Sequence, residues 1–260
     1  MNDLIDVPPL FYTLPPNPIP YPYILINANY PVTGLCYLRR HHKYVKKVII
    51  DTGIEMFRDP SVKEYPDGWV HHLISLYDRV RLLYPNIDVL VTAPDYCDDY
   101  NPRGLWLTED ITNIERTVDR AIECLEEYSD VNWLLSIQAW YRQPKSVLKC
   151  LRLYKELGVL RRHKAFAIGN LCVERSKRLT HEAIQLARKE LGHDKTLHVF
   201  GLDLSTFPTV KNLIDSFDSF AWTRCVDRRL GFNRSARNTA EKIQFFKIWV
   251  EKLNLYKAIK

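Results

Sequence analysis

Eight short, apolar, β-prone runs recur along this chain, and segments of helical spacing lie between most of them. The runs are LFYTL (10–14), YILINANY (23–30), KVIIDTG (47–53), IDVLVTAPD (87–95), NWLLSIQAW (132–140), KAFAIGNL (164–171), TLHVFGLD (196–203) and SFDSFAWT (216–223). Most are continuous rather than alternating, as expected of parallel strands covered on both faces. The intervening helices are equally legible. Thr112 and Glu115 form a T-x-x-E capping box, and Ile114, Val118, Ile122 and Leu125 then share one stripe. Residues 145–158 and 180–191 show the same period, the second through Ile184, Ala187 and Leu191. A final helix opens at Asn238, with Glu241 three residues on, and turns Ile243, Phe246, Val250 and Leu253 inward.

Eight strands with helices after most of them predict an α/β protein, a closed (β/α)8 TIM-like barrel. An open doubly wound sheet is the competing topology. It usually comes with a G-x-G-x-x-G turn after the first strand or a phosphate-binding lysine loop, and the sequence has neither. At 260 residues the chain is long enough for one large core. We expect a single domain over 1–260, with a proline-rich N-terminal segment (1–22), whose stretch 15–22 wraps the barrel, and a C-terminal helix (238–260). No internal repeat or linker divides it.

An apolar content of 46% argues against disorder. No uncharged apolar run reaches the length of a membrane span, and no basic segment followed by an apolar one opens the chain. The expectation is a cytoplasmic protein. Six cysteines lack C-x-x-C spacing, so neither a disulfide framework nor a structural zinc is expected. His41-His42 and His71-His72 invite a metal reading, but adjacent side chains diverge, so both pairs are read as surface residues. The net charge of +6 hints only mildly at a polyanionic partner. Its distribution says more: RCVDRRLGFNRSAR (224–237) holds five arginines against one aspartate.

In a barrel, reactive groups come from the C-terminal ends of strands. There the third run carries Asp51, Thr52 and Gly53, the fourth Asp95, the fifth Gln138, the sixth Gly169 and Asn170, and the eighth Asp218. Each has a structural alternative. A strand-end aspartate often caps a helix or forms a turn, Gln138 could be a satisfied core amide, and Gly169-Asn170 could be a turn of positive φ. Three carboxylates and an amide converging on one mouth are harder to explain structurally.

These runs resemble, in order, the motifs of tRNA-guanine transglycosylases, and more narrowly of their relatives that insert 7-deazaguanine bases into DNA. IDTGIEMF resembles the family's aspartate–serine–glycine–glycine strand end. TAPDYCDD resembles its second base-binding aspartate. SIQAW is similar to its V-Q-G strand, FAIGNLCVE to Y-A-I-G-G-L-A-V-G-E, and HVFGLD to Y-L-M-G-V-G. IDSFDSFAWTR (214–224) aligns without gaps on I-D-M-F-D-C-x-x-P-T-R. The match spans roughly 47–237, and Ser219 and Trp222 lean towards the DNA-acting branch.

The resemblance implies Asp218 as nucleophile and Asp51 as general acid/base. It implies that Thr52, Asp95, Gln138, Gly169, Asn170 and Leu171 read the purine, and that Phe200 packs on it. Arg224, Arg228, Arg229, Arg234 and Arg237 would contact phosphates, with a solvated basic loop as their alternative. The sequence departs from the pattern at Ile54-Glu55-Met56, where a glycine, an aromatic residue and a glutamine are expected; Phe57 is the candidate replacement lid. The zinc site that follows the barrel in the tRNA enzymes is absent, so no metal or other cofactor is expected. Implied partners are nucleic acid, DNA over tRNA, a 7-deazaguanine base, and a protein partner or second copy.

The implied chemistry is base exchange. Asp218 attacks C1′ as guanine leaves with help from Asp51, and the incoming base displaces Asp218. Three other readings stay open: a hydrolase in which water resolves the intermediate, a noncatalytic nucleic-acid-binding subunit, and an unrelated barrel for a phosphorylated metabolite.

Overall fold

The computed structural model describes residues 5–59, 61–98, 111–169, 176–227 and 232–258, with the backbone alone described for 224–227 and 232–234. Eight parallel strands form one sheet: β1 (Leu10–Tyr12), β2 (Tyr23–Asn27), β3 (Lys47–Asp51), β4 (Asp88–Thr92), β5 (Trp133–Ile137), β6 (Ala165–Ile168), β7 (Thr196–Val199) and β8 (Ser216–Asp218). They run in the order β1-β8-β7-β6-β5-β4-β3-β2. The seam between β1 and β2 is bridged by Thr13, whose N–H donates to the Tyr23 carbonyl and whose carbonyl accepts from Leu25 N–H, both at 3.2 Å. The sheet is therefore a nearly closed barrel, and all eight predicted runs supply a strand.

Helices follow the strands around the outside. They are α1 (Pro31–His41), α2 (Trp69–Leu83), α3 (Asn113–Glu127), α4 (Val147–Glu156), α5 (Val159–Arg162), α6 (Lys177–Leu191), α7 (Phe207–Val210) and α8 (Thr239–Ala258). The Thr112–Glu115 capping box opens α3. Asn238 accepts from the Glu241 N–H at 3.0 Å, just before α8. Between β1 and β2 the chain has no helix; the proline-rich stretch crosses that gap instead. Helix α8 covers the same place, with Trp249 6.1 Å from Phe11 and Phe246 5.4 Å from Tyr21. The last helix thus completes the ring that the first strand connection leaves open.

Strand β5 is buried at every position and β2 at all but its last, which is why these runs read as unbroken apolar stretches. The period of two sorts the remaining strands into layers. Phe11 and Phe217 pair in register and pack at 5.1 Å beneath the helices. Their neighbours Tyr12, Ser216 and His198 turn into the barrel, where Tyr12 lies 5.7 Å from the His198 ring.

Two expectations need correction. His41 is not a surface residue: it is buried and its Nε2 meets the Asn17 carbonyl at 2.5 Å, tying α1 to the proline-rich loop. Phe57 is no lid. It is buried in a small satellite cluster, 4.9 Å from Tyr65 and 5.6 Å from Tyr96. The apolar character that suggested a lid is spent on packing the loop after β3. Cys36, Cys124 and Cys150 are free thiols, and among the described residues no His/Cys/Asp/Glu group could hold a metal. No described helix is long and apolar enough to cross a membrane.

Candidate active site

Alternation decides which strand-end residues reach the mouth. Asp218 is two residues beyond Ser216, on the same inward face, and Phe200 is two beyond His198. Together with Asp51 from β3, Asp95 from the loop after β4, and Gly169 just beyond β6, they line one cavity of about 670 Å³ at the C-terminal end of the barrel. Four of its walls are carboxylates: Asp51, Glu55, Asp95 and Asp218. Among the described residues lining it, the one cationic side chain is that of Arg58.

Asp95 is almost fully buried and held at both oxygens. Thr52 Oγ1 donates to Oδ1 at 2.9 Å and Gln138 Nε2 donates to Oδ2 at 2.6 Å. Burial pushes its pKa up to about 6, against the pull of those two donors. Thr52 and Gln138 are themselves completely buried and stand behind Asp95 rather than on the cavity. Gln138 Oε1 has no hydrogen-bond partner among the described residues. Gly169 is required by space and not by positive φ. A Cβ there would sit 2.3 Å from Gln138 Nε2 and 3.0 Å from Asp95 Oδ2.

Asp51 keeps part of its surface open to the cavity. Its pKa lies well above the ordinary carboxylate range, because burial and then the neighbouring charges of Glu55, Asp218 and Asp95 disfavour ionisation. Asn27 Nδ2 serves both acids, donating to Glu55 Oε1 at 2.5 Å and to Asp51 Oδ2 at 3.3 Å. Gly53 follows in the left-handed region at φ +79°, where the Asn29 side chain occupies the space a Cβ would need.

Asp218 is 6% exposed. Its Oδ1 accepts the Gly201 N–H at 2.9 Å, and His198 Nε2 lies 3.5 Å from the same oxygen. The segment after it is anchored firmly. Trp222 Nε1 donates to Thr13 Oγ1 at 2.8 Å, which in turn donates to the Ser219 carbonyl at 3.2 Å. Trp222 is buried against Phe246, so its role in this fold is to hold the loop.

No protein-family model matches the chain, and no curated protein does.

The structure thus brings Asp51, Asp95, Gly169, Phe200 and Asp218 around one cavity, with Thr52 and Gln138 directly behind. Asn170, Leu171, Arg228 and Arg229 lie outside the described residues. Arg224 belongs to β9 (Arg224–Asp227) and Arg234 to β10 (Phe232–Ser235), which pair as an antiparallel ribbon. Arg237 is exposed and forks onto Glu241 at 2.8 Å. Several cavity residues escaped the sequence reading: Asn27, Glu55, Tyr30 and Phe220. The last two are aromatic yet 71% and 43% exposed, and both line the cavity. The available signal was position: each is an aromatic a few residues beyond the end of an apolar strand.

Proposed function

We propose that the barrel is a base-exchange transglycosylase, which replaces guanine in nucleic acid, DNA over tRNA, with a 7-deazaguanine through a covalent Asp218–C1′ intermediate. The observation that carries the reading is the convergence of Asp51, Asp95 and Asp218 on one cavity of a size suited to a nucleotide.

Breaking a C1′–N bond develops positive charge on the sugar. A carboxylate close by stabilises that charge and can then trap it covalently. Asp218 Oδ1 is occupied by Gly201 N–H, and among the described residues no hydrogen bond reaches Oδ2. Oδ2 is therefore the attacking atom. Guanine leaves more easily as it gains a proton, and Asp51, whose hold on a proton is strengthened by burial and three carboxylate neighbours, is suited to give one. After transfer Asp51 is the base that takes a proton from the incoming 7-deazaguanine, and the ring nitrogen displaces Asp218.

Guanine offers donors at N1 and N2. Asp95, aimed by Thr52 and Gln138, has lone pairs left to accept them. Phe200 supplies an apolar face for the ring. Tyr30 and Phe220 at the rim fit the stacking of bases next to an extruded nucleotide, where each aromatic contact is worth about 1–3 kcal/mol. Phosphate contacts by the arginines of 224–237 would offset the cost of extruding the base.

The test is incubation with duplex DNA and with tRNA, each with 7-cyano-7-deazaguanine, followed by nucleoside mass spectrometry. Incorporation into either polymer supports the reading. Free guanine released without an acceptor base moves the assignment to an N-glycosidase. Binding without exchange or release moves it to a noncatalytic subunit.

A further inference from the structure

Beneath the mouth, a buried histidine faces the candidate nucleophile. His198, on the inner face of β7, is 1% exposed and lies between Ser216 and Asp218 of β8. Its Nδ1 is 2.9 Å from Ser216 Oγ, and its Nε2 is 3.5 Å from Asp218 Oδ1. Tyr12 and Phe200 pack edge-on against the ring at 5.7 and 4.7 Å, which holds its plane. Apart from the Asp218 contact, Nε2 has no partner among the described residues.

We infer that His198 is a positioning residue: it carries a proton on Nε2, directs it at Asp218 Oδ1, and so leaves Oδ2 as the oxygen presented to the cavity. This deepens the transglycosylase reading and, for its catalytic consequence, rests on it. The hydrogen-bonding options of the ring decide the proton's place. With the proton on Nδ1 alone, a bare Nε2 lone pair would face a carboxylate oxygen inside the protein, unsatisfied and repelled. With Nε2 protonated, the Ser216 hydroxyl rotates to donate to Nδ1, and an N–H rather than a lone pair faces the carboxylate. At 3.5 Å the contact to Asp218 is longer than a hydrogen bond and acts as an electrostatic restraint. Such contacts tighten when the substrate is in place. Gly201 N–H, just beyond β7, and His198 Nε2–H, within it, converge on Oδ1, which fixes the rotation of the carboxylate.

Two measurements test this, and the first needs no activity. In long-range ¹⁵N–¹H correlation spectra at neutral pH, with His198 assigned by loss of its signals in His198→Gln, Nε2 is expected to carry a proton. A ring protonated on Nδ1 alone overturns the inference. The second is single-turnover adduct formation at Asp218. His198→Phe is expected to slow it about 10- to 100-fold, a consequence of a misplaced nucleophile, while nucleic-acid affinity is unchanged. His198→Gln, which can donate from Nε2, is expected to recover part of the rate. A rate equal to wild type in His198→Phe, or no recovery in His198→Gln, shows that the ring merely fills space. If the wild-type protein forms no adduct at all, the transglycosylase reading falls, and the spectra still decide what His198 does to Asp218.

Discussion

The two ends of β8 each carry an aspartate, three residues apart, in opposite situations. At the N-terminal end, Asp215 Oδ2 accepts from Arg188 Nη2 at 2.6 Å and from the Leu197 N–H at 2.7 Å. Arg188 also bonds the carbonyls of Leu213, Gly192 and Lys195. Nearby charges are paired as well: Lys47 with Asp88, and Lys164 and Lys195 with Asp194. At the C-terminal end, Asp218 shares its cavity with three more carboxylates and, among the described lining residues, the one cationic side chain of Arg58. One end of the barrel pairs its acids with cations, and the other gathers four carboxylates served mainly by neutral donors. Paired charges at the first end serve stability, and a concentration of acids at the second is the kind of arrangement found at functional sites.

That contrast can be broken by substitution. The largest effect is expected for Asp218→Ala. Base exchange should fall on the order of 10⁴-fold, as when other covalent nucleophiles are removed, and the adduct should vanish while the melting temperature holds. Full exchange in Asp218→Ala would remove the mechanism. Next is Asp51→Asn, for which loss of the general acid predicts a drop of about 10²- to 10⁴-fold in the chemical step. Its binding of nucleic acid, measured by anisotropy, should persist.

Asp95→Asn should separate stability from function. Folding raises the pKa of Asp95 from 3.8 to about 6, so the stability tied to this group is fully present below pH 4 and is lost as pH rises through 6. At neutral pH the deficit is about 3 kcal/mol at most, since each tenfold change in proton affinity corresponds to about 1.4 kcal/mol. An amide has no such deficit, and the unpartnered Gln138 Oε1 can turn to accept from it. Denaturation at pH 7.5 should show Asp95→Asn more stable than wild type, with the gain shrinking towards pH 4, while affinity for the base falls. Equal pH dependence in the two proteins would refute this.

At the opposite end, Asp215→Ala should leave exchange chemistry intact and lower stability by about 1–2 kcal/mol, since it strips a partner from a buried guanidinium but exposes its own site to water. The smallest effect is expected for Arg237→Ala. Its exposed pair with Glu241 is worth well under about 1 kcal/mol, so chemical denaturation should scarcely register it. If Arg237 reaches a phosphate, the slope of log affinity against log salt should fall by about 1.

How the sequence announced these regions differs. Continuous Val, Ile and Leu runs report burial on both faces, so the eight strands and their parallel order could be read directly. The T-x-x-E box located α3 because capping is a local interaction of residues three apart. Asp51, Asp95 and Asp218 could be picked out because a carboxylate ending an apolar run is locally anomalous. Tertiary contacts decided what local anomaly could not. Phe57 and His41 were misjudged because their partners lie far off in the chain, in the loop bearing Tyr96 and in the proline-rich crossing. Thr52 and Gln138 have the chemistry to touch a base, and only the packed barrel puts them behind Asp95.

By itself, then, the sequence determined the periodicities: strand, helix, cap, and the faces on which Ser216 and Asp218 must coincide, since a period of two is a property of the backbone. Tertiary structure alone decided which groups share a low-dielectric space. The raised pKa of Asp51 depends first on its burial, then on Glu55 four residues on, and on Asp218 and Asp95 arriving from distant segments. The restraint of Asp218 depends on Gly201 and His198 arriving from another strand. Electrostatic coupling falls with distance in space and carries no trace in separation along the chain.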